Sequence, residues 1–244
     1  MDDIPYDDWS EYIVGLLKER GIDEGLVCEL GCGTCEITKR LQAAGYDMIG
    51  IDKSEDMLAL AYDKFFDEGI NGIMLLNQDM RSFELYGTVN AFVCVCDSLN
   101  YITDKNDLLK VFKLVNNYLE KDGLFIFDLK TTCFFEEDYG NREFTDESEG
   151  AILRWENRYD SKTRLNEYNL TITYATEEGD DVINECHVQR AYTLEEIKEL
   201  LGSAGLKFIK AVDYDTKKEP DAGTKRLYVI ASEGYQEGKT YIGG

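Results

Sequence analysis

The chain has 244 residues, 43% of them hydrophobic, which is enough for one large α/β domain or one domain with an inserted subdomain. Its 49 acids against 26 Lys and Arg give a net charge of −23, with no basic stripe of the kind a nucleic-acid backbone requires. No apolar run approaches membrane-spanning length and the acidic N-terminus lacks a signal-peptide pattern, so neither membrane nor export is expected; the seven cysteines are read as reduced, in a cytoplasmic protein.

The first element is an amphipathic helix over residues 7–20, with Trp9, Tyr12, Ile13, Leu16 and Leu17 on one stripe. An apolar strand at 25–30 carries Glu29 and runs into Gly31-Cys32-Gly33-Thr34-Cys35, where two glycines allow a tight turn and close approach of a ligand. A helix near 34–44 and a strand at 46–51 follow, and Asp52 caps that strand 19 residues after Gly33. Such a βαβ unit builds a nucleoside pocket, and an acid at Asp52 suits ribose hydroxyls. A dinucleotide fingerprint would need a third glycine where Glu36 stands, and a carboxylate there repels a pyrophosphate. With Glu29 close by, the turn favours a cationic ligand, which argues against a nicotinamide oxidoreductase.

Ser54 caps a helix near 55–68. Strand 72–77 leads to Asp79 and Met80, and strand 89–96 leads to Asp97-Ser98-Leu99-Asn100-Tyr101. A helix near 104–121 and the strand Leu124-Phe125-Ile126-Phe127-Asp128-Leu129 complete five strands with crossover helices, which implies a parallel sheet covered on both faces. The pattern breaks near 131, and residues 133–150 are acidic and aromatic without a period. Alternating runs at 151–159 and 168–174, a turn at 160–162 and a third extended run at 182–190 imply an inserted antiparallel sheet. Thr193 and Glu196 form a capping box for a helix, and strands 206–213 and 226–232 bring the main sheet to seven, the last pair antiparallel. The tail beyond Glu233 is glycine-rich and polar, and is expected to be loosely held.

The turn around Gly31, the acids at Asp52 and Asp79, and the strand end at Asp97, in that order and spacing, resemble the motifs of the class I S-adenosylmethionine-dependent methyltransferases, small-molecule type. The chain is similar to uncharacterised bacterial members of that group. The likeness covers roughly residues 6–130 well and departs at Cys35, where the family motif carries its last glycine. It implies a seven-stranded, mostly parallel, doubly wound sheet with an inserted antiparallel β subdomain. On that reading 1–132 and 191–244 form the S-adenosylmethionine-binding domain, and 133–190 covers the acceptor site.

The resemblance also implies roles. Gly31, Cys32, Gly33 and Glu29 surround the methionine end of the cofactor, Asp52 with Lys53 and Met57 its ribose side, and Asp79 with the Met80 N–H its adenine. Cys96, Asp97 and Ser98 lie near the reacting methyl, and Tyr6 closes over the site, whereas Trp9 reads better as core. Asp97 and Tyr101 are candidates for the catalytic floor. His187, the lone histidine, is a candidate base, because imidazole titrates near neutrality. Tyr101, His187 and Arg190 are candidates for binding the acceptor, although His187 and Arg190 point to opposite faces of an extended segment. No metal is expected. Cys32-x-x-Cys35 has a zinc or redox spacing but sits inside the cofactor turn, and Cys94 and Cys96 read as small core residues. The expected activity is methyl transfer to a small-molecule acceptor, with nitrogen favoured, by a monomer or homodimer. The alternative is a catalytically silent cofactor-sensing module.

Overall fold

The structure, a computed structural model, describes residues 4–148, 150–176 and 179–234; the expectation for the tail falls outside them from residue 235. Helix α1 (Tyr6–Lys18) precedes strand β1 (Leu26–Leu30), helix α2 (Glu36–Ala43), strand β2 (Asp47–Asp52), helix α3 (Glu55–Glu68), strand β3 (Met74–Asn77) and strand β4 (Val89–Cys94). A 3-10 turn at Ser98–Tyr101, helix α4 (Lys105–Tyr118) and strand β5 (Leu119–Lys130) follow. After a four-stranded excursion the chain returns as helix α6 (Leu194–Ser203) and strands β10 (Lys207–Asp213) and β11 (Arg226–Ser232).

The seven strands lie in the order β10-β11-β5-β4-β1-β2-β3. β3, β2, β1, β4 and β5 are parallel, while β11 is antiparallel to both β5 and β10. This is the doubly wound sheet the sequence implied. Strand alternation explains its two cores. From β4, Phe92 and Cys94 turn to the face covered by α4 and α6, and Ala91 and Val93 to the face covered by α1 and α2. From β5, Phe125 and Phe127 join the first face, and Leu124 and Ile126 the second. Burying a Phe-sized side chain contributes roughly 1.5–3 kcal/mol, so these paired layers dominate the sheet's stability. β1 has β2 on one side and β4 on the other, so the strand order reverses there and a crevice opens beyond the carboxyl ends.

Several boundaries differ from expectation, and two regions differ most. α4 ends at Tyr118 rather than near 121, because β5 begins at Leu119. Asp122 there adopts a left-handed φ of 64°, and the ladder with β4 shifts register between Val89 and Ala91. The stretch at 133–150 is partly regular. It holds a short helix α5 (Thr132–Phe134) capped by Thr131, a π turn at Phe135–Tyr139, and strand β6 (Glu143–Ser148). With β7 (Ala151–Asp160), β8 (Leu165–Thr176) and β9 (Gly179–Arg190) this makes a four-stranded antiparallel sheet in sequence order, one strand more than expected.

That sheet is tied to the body through Asn100, which is fully buried. Its side-chain amide donates to the carbonyls of Lys130 (3.0 Å) and Arg190 (2.8 Å) and accepts from the Lys130 N–H (2.9 Å). Tyr192 adds a bond from its hydroxyl to the Ile102 carbonyl at 2.5 Å. Asn100→Ala removes three hydrogen bonds to the backbone of Lys130 and Arg190, so we expect a loss of about 3 kcal/mol in denaturant unfolding. A midpoint unchanged from the parent would show that Asn100 is not the fastening.

Candidate active site

The turn after β1 and the acid after β2 form one unit. Gly31 has φ 71° and Gly33 φ 51°, which a glycine adopts without strain. A Cβ on Gly31 would stand 2.7 Å from Ser98 Oγ and 3.3 Å from Met80 Cε, whereas one on Gly33 would meet nothing within 4 Å. Gly31 therefore allows the turn to close against the β4 loop, and Gly33 faces open space. The Gly31 and Cys32 N–H groups donate to the Ile51 carbonyl at 2.8 and 3.1 Å. The Gly33 N–H donates to Asp52 Oδ2 at 2.8 Å, and the Ser54 N–H to Asp52 Oδ1 at 2.9 Å. Each Asp52 oxygen thus holds one donor and keeps accepting capacity for a hydroxyl pair.

Glu29 lies beneath this turn, buried, with the Thr38 hydroxyl as its donor. Burial pushes its pKa up to about 8, Thr38 pulling against it and Cys35 and Asp52 adding to the rise. No cation is bonded to Glu29 among the described residues, so the buried acid is a place where an arriving positive charge is stabilised. Glu36, by contrast, is engaged by Arg40 (2.6 Å), Lys39 (3.4 Å) and Lys64. Although burial opposes its charge, Lys64 and Arg40 hold its pKa down at about 2. The expected repulsion of a pyrophosphate by Glu36 is therefore offset locally, and the missing third glycine is the firmer part of that argument.

Over the turn, Tyr6 packs edge-on to Trp9 (5.5 Å between rings) beneath the Arg40 guanidinium. Burial raises the Tyr6 phenol pKa, with Cys96, Glu36 and Glu29 adding to the rise, so its hydroxyl lies among the groups around the turn. Trp9 packs against Tyr214, as a core residue does. At the β3 end Asp79 accepts from the Arg81 guanidinium at 2.5 Å and the Arg81 N–H at 2.8 Å, which lowers its pKa. Met80 leans on the Gly31 turn, and Lys53 and Met57 are exposed on the rim.

The β4 end is shaped by a residue the sequence reading passed over. Cys96 (φ 59°) and Asp97 (φ 51°) are consecutive left-handed non-glycine residues. Both N–H groups donate to the fully buried Asp128 carboxylate, at 3.1 and 2.7 Å, and Arg226 donates to the same carboxylate at 2.6 Å. Asp97 Oδ2 meets Lys130 Nζ at 2.9 Å and accepts from Gln189 Nε2 at 2.8 Å, and Arg226 lies 3.4 Å from Asp97 Oδ1. Ser98 does not cap the 3-10 turn: its hydroxyl donates to the Val95 carbonyl at 2.9 Å.

Beside this cluster the Tyr101 and Tyr168 hydroxyls are 2.5 Å apart. His187 stacks on Tyr168 (4.7 Å) and meets Tyr101 edge-on (5.9 Å), with Nε2 2.9 Å from Glu185 Oε2. Asp97, Tyr101 and His187 are thus brought together. Arg190 is not: its guanidinium lies over Tyr192 and reaches the Thr103 carbonyl at 3.4 Å. Sequence reasoning missed Asp128, Lys130, Arg226, Tyr168 and Gln189. The available signal was Asp128 itself, an acid inside an otherwise apolar strand. Of the cysteines, Cys94 is buried with the α4 and α6 side, whereas Cys32 and Cys35 pack with α3 against Leu58 and Phe65. Among the described residues no three His, Cys, Asp or Glu groups are placed to hold a metal ion.

A glycine turn open at Gly33, an acid with spare acceptors beside it, and a buried uncompensated carboxyl below fit a nucleoside carrying a positive charge. Residues 27–123 match the family described as Methyltransferase domain. The Bacillus subtilis protein YqeM, provisionally named a methyltransferase, is 32% identical over 99% of this chain and 94% of its own length. The S-adenosylmethionine-dependent methyltransferase of Clostridium acetobutylicum superimposes with a TM-score of 0.87 at 28% identity, covering 96% of this chain and 94% of that one. The sugar N-methyltransferase KedS8 of Streptoalloteichus shares the fold, with a TM-score of 0.76 at 18% identity over 93% of this chain and 87% of its own. The chain belongs to the class I S-adenosylmethionine-dependent methyltransferases, and S-adenosylmethionine is its cofactor.

Glu29 gives the ligand-free protein a pH signature. Its folded pKa of about 8 lies above the ordinary 4.5, so its contribution to stability is complete below pH 4.5 and is lost as pH rises through about 8. Glu29→Gln removes that titration. Relative to the parent, the variant is expected to gain on the order of a few kcal/mol between pH 5 and pH 9. Parallel stability curves for the two proteins would contradict this.

Proposed function

We propose that this enzyme transfers the methyl group to the nitrogen of a small-molecule amine, at the rim formed by Asp97, Tyr101 and His187. The observation that carries the reading is the meeting of those three side chains, two from the turn after β4 and one from β9 of the inserted sheet, beside the turn that suits the cofactor. The activity printed for KedS8, a sugar N-methyltransferase, supports nitrogen as the acceptor atom. The strongly acidic chain suits a cationic acceptor, and free cysteines throughout the described residues suit a cytoplasmic enzyme.

In this reading Asp52 accepts from the ribose hydroxyls, with Lys53 and Met57 at the rim. Asp79 and the Met80 N–H take the adenine edge, with Arg81 sharing the Asp79 carboxylate. Glu29 balances the ammonium from below the turn, while Gly31, Cys32, Gly33, Cys96 and Ser98 line the methionine end, and Tyr6 closes over it. S-adenosylmethionine supplies an electrophilic methyl on a sulfonium, and the enzyme's task is largely to align the acceptor with it.

An aliphatic amine arrives as an ammonium near neutral pH and has no free lone pair until it loses a proton. His187, held through Nε2 by Glu185, keeps Nδ1 for that proton. Tyr101 and Tyr168 orient the nitrogen by hydrogen bonds, and Asp97, held by Lys130 and Gln189, fixes the floor beside them. Arg190, turned away, is left out of the acceptor site in this reading.

The test is transfer of labelled methyl to matched small amines and alcohols. Label is expected in the amines, and His187→Gln is expected to reduce turnover about a hundredfold. Label confined to hydroxyl or carbon acceptors, or unchanged turnover in the variant, would overturn the reading.

A further inference from the structure

The side of the inserted sheet that carries His187 and Gln189 does not end at the reacting rim. Residues directly opposite in an antiparallel ladder share a face. Tyr168 pairs with His187 and Asn157 with Tyr168, so these stand on one side, and steps of two along the strands keep to it. The same side then carries Trp155, Leu153, Leu170, Ile172 and Ile183. These residues are only partly covered, and Ile183 is 43% exposed. Aromatic rings join this stripe to the rim. Lys130, bonded to Asp97, lies 5.0 Å from the Tyr139 ring, which meets Phe144 at 6.0 Å, which in turn meets Trp155 at 5.6 Å.

Charge on the sheet is segregated as well. The strand acids of this side are Asp146, Asp181 and Glu185, and no Lys or Arg of strands β6 to β9 shares it. Arg154, Arg158 and Arg190 all lie on the opposite side, where Arg154 is paired with Glu143 and Glu156. The rim-facing surface is therefore apolar and aromatic, Asp146, Asp181 and Glu185 are the charges its strands contribute, and the cation at its rim end, Lys130, is already held by Asp97.

We propose that the acceptor is a cationic amphiphile: its amine sits at Tyr101 and His187, and its apolar body lies along Trp155 and Leu170 on the inserted sheet. This rests on the amine-methylation reading above and adds the class of molecule that carries the amine. Two residues of strand separate His187 from Glu185 and Tyr168 from Leu170, so the apolar body begins about 7 Å from the reacting nitrogen. Short polar amines reach the rim but forgo the stripe, and apolar anions are repelled by the flanking acids.

The probes are n-butylamine, n-octylamine and octanoate, titrated calorimetrically into the full chain saturated with adenosylhomocysteine, with methyl transfer to both amines measured in parallel. Octylamine is expected to bind at least about tenfold more tightly than butylamine, since each buried methylene contributes, and octanoate more weakly than octylamine. Leu170→Thr, which keeps a strand-compatible residue, and Trp155→Ala should abolish the chain-length advantage. Ile152→Thr, on the opposite side, should preserve it. Equal affinity for the two amines, equal affinity for octanoate, or a Leu170→Thr variant that keeps the advantage would overturn the proposal. So would sedimentation showing a dimer that Leu170→Thr dissociates, because a second copy would then cover the stripe. Methyl transfer to both amines without a chain-length effect removes this inference and leaves amine methylation standing. A chain-length effect without any label in nitrogen supports the surface and removes amine methylation.

Discussion

The buried Asp128 carboxylate is the constraint on which the carboxyl edge depends. It takes the N–H groups of Cys96 and Asp97 and the guanidinium of Arg226, and so holds two successive residues in left-handed backbone. Non-glycine residues pay on the order of 1 kcal/mol or more each for that conformation, and they keep it only where surrounding bonds over-determine it. Charge-assisted bonds at about 1.5–3 kcal/mol each are sufficient. Burial favours the neutral acid and raises the Asp128 pKa, with Arg226 opposing that. The pair is needed intact: a carboxylate without the guanidinium would be an uncompensated buried charge.

From that bracket the rest of the rim follows. The turn at Cys96 and Asp97 directs the Asp97 side chain to Lys130 and Gln189, and Gln189 connects the inserted sheet to β4 across 92 residues of chain. Asn100, a few residues further on, fixes the same turn to β5 and β9. A second bracket of similar kind lies at the end of β2, where Asp52 holds the glycine turn by the Gly33 N–H. One carboxylate shapes the turn after β4 and the other the turn after β1, and Ser98 against Gly31 is the point of contact between them.

Much of the main sheet was legible because its strands are apolar on both faces and its helices carry clean stripes. The ends of β1 and β2 are set by Gly31 and Asp52, both visible as breaks in pattern. The inserted sheet was harder. β6 has Phe144 as its one inward apolar residue and charges on both sides, so its alternation does not stand out until Trp155 pairs with it. The start of β5 was hidden because Leu119 continues the α4 stripe, and only the left-handed Asp122 shows where the ladder adapts. At the site, residues named by a local motif (Gly31, Gly33, Asp52) were readable. Those defined by a partner far along the chain, such as Gln189 for Asp97 or Arg226 for Asp128, carry no local signature.

If the Asp128 carboxylate shapes the rim, amide hydrogen exchange at Cys96 and Asp97 will report it. In the parent protein both amides should be protected, and in Asp128→Asn, which preserves volume but weakens acceptance and removes the charge, both should exchange at least about tenfold faster while strand β1 stays protected. Equal protection of the two amides in parent and variant would mean that something other than this carboxylate shapes the rim.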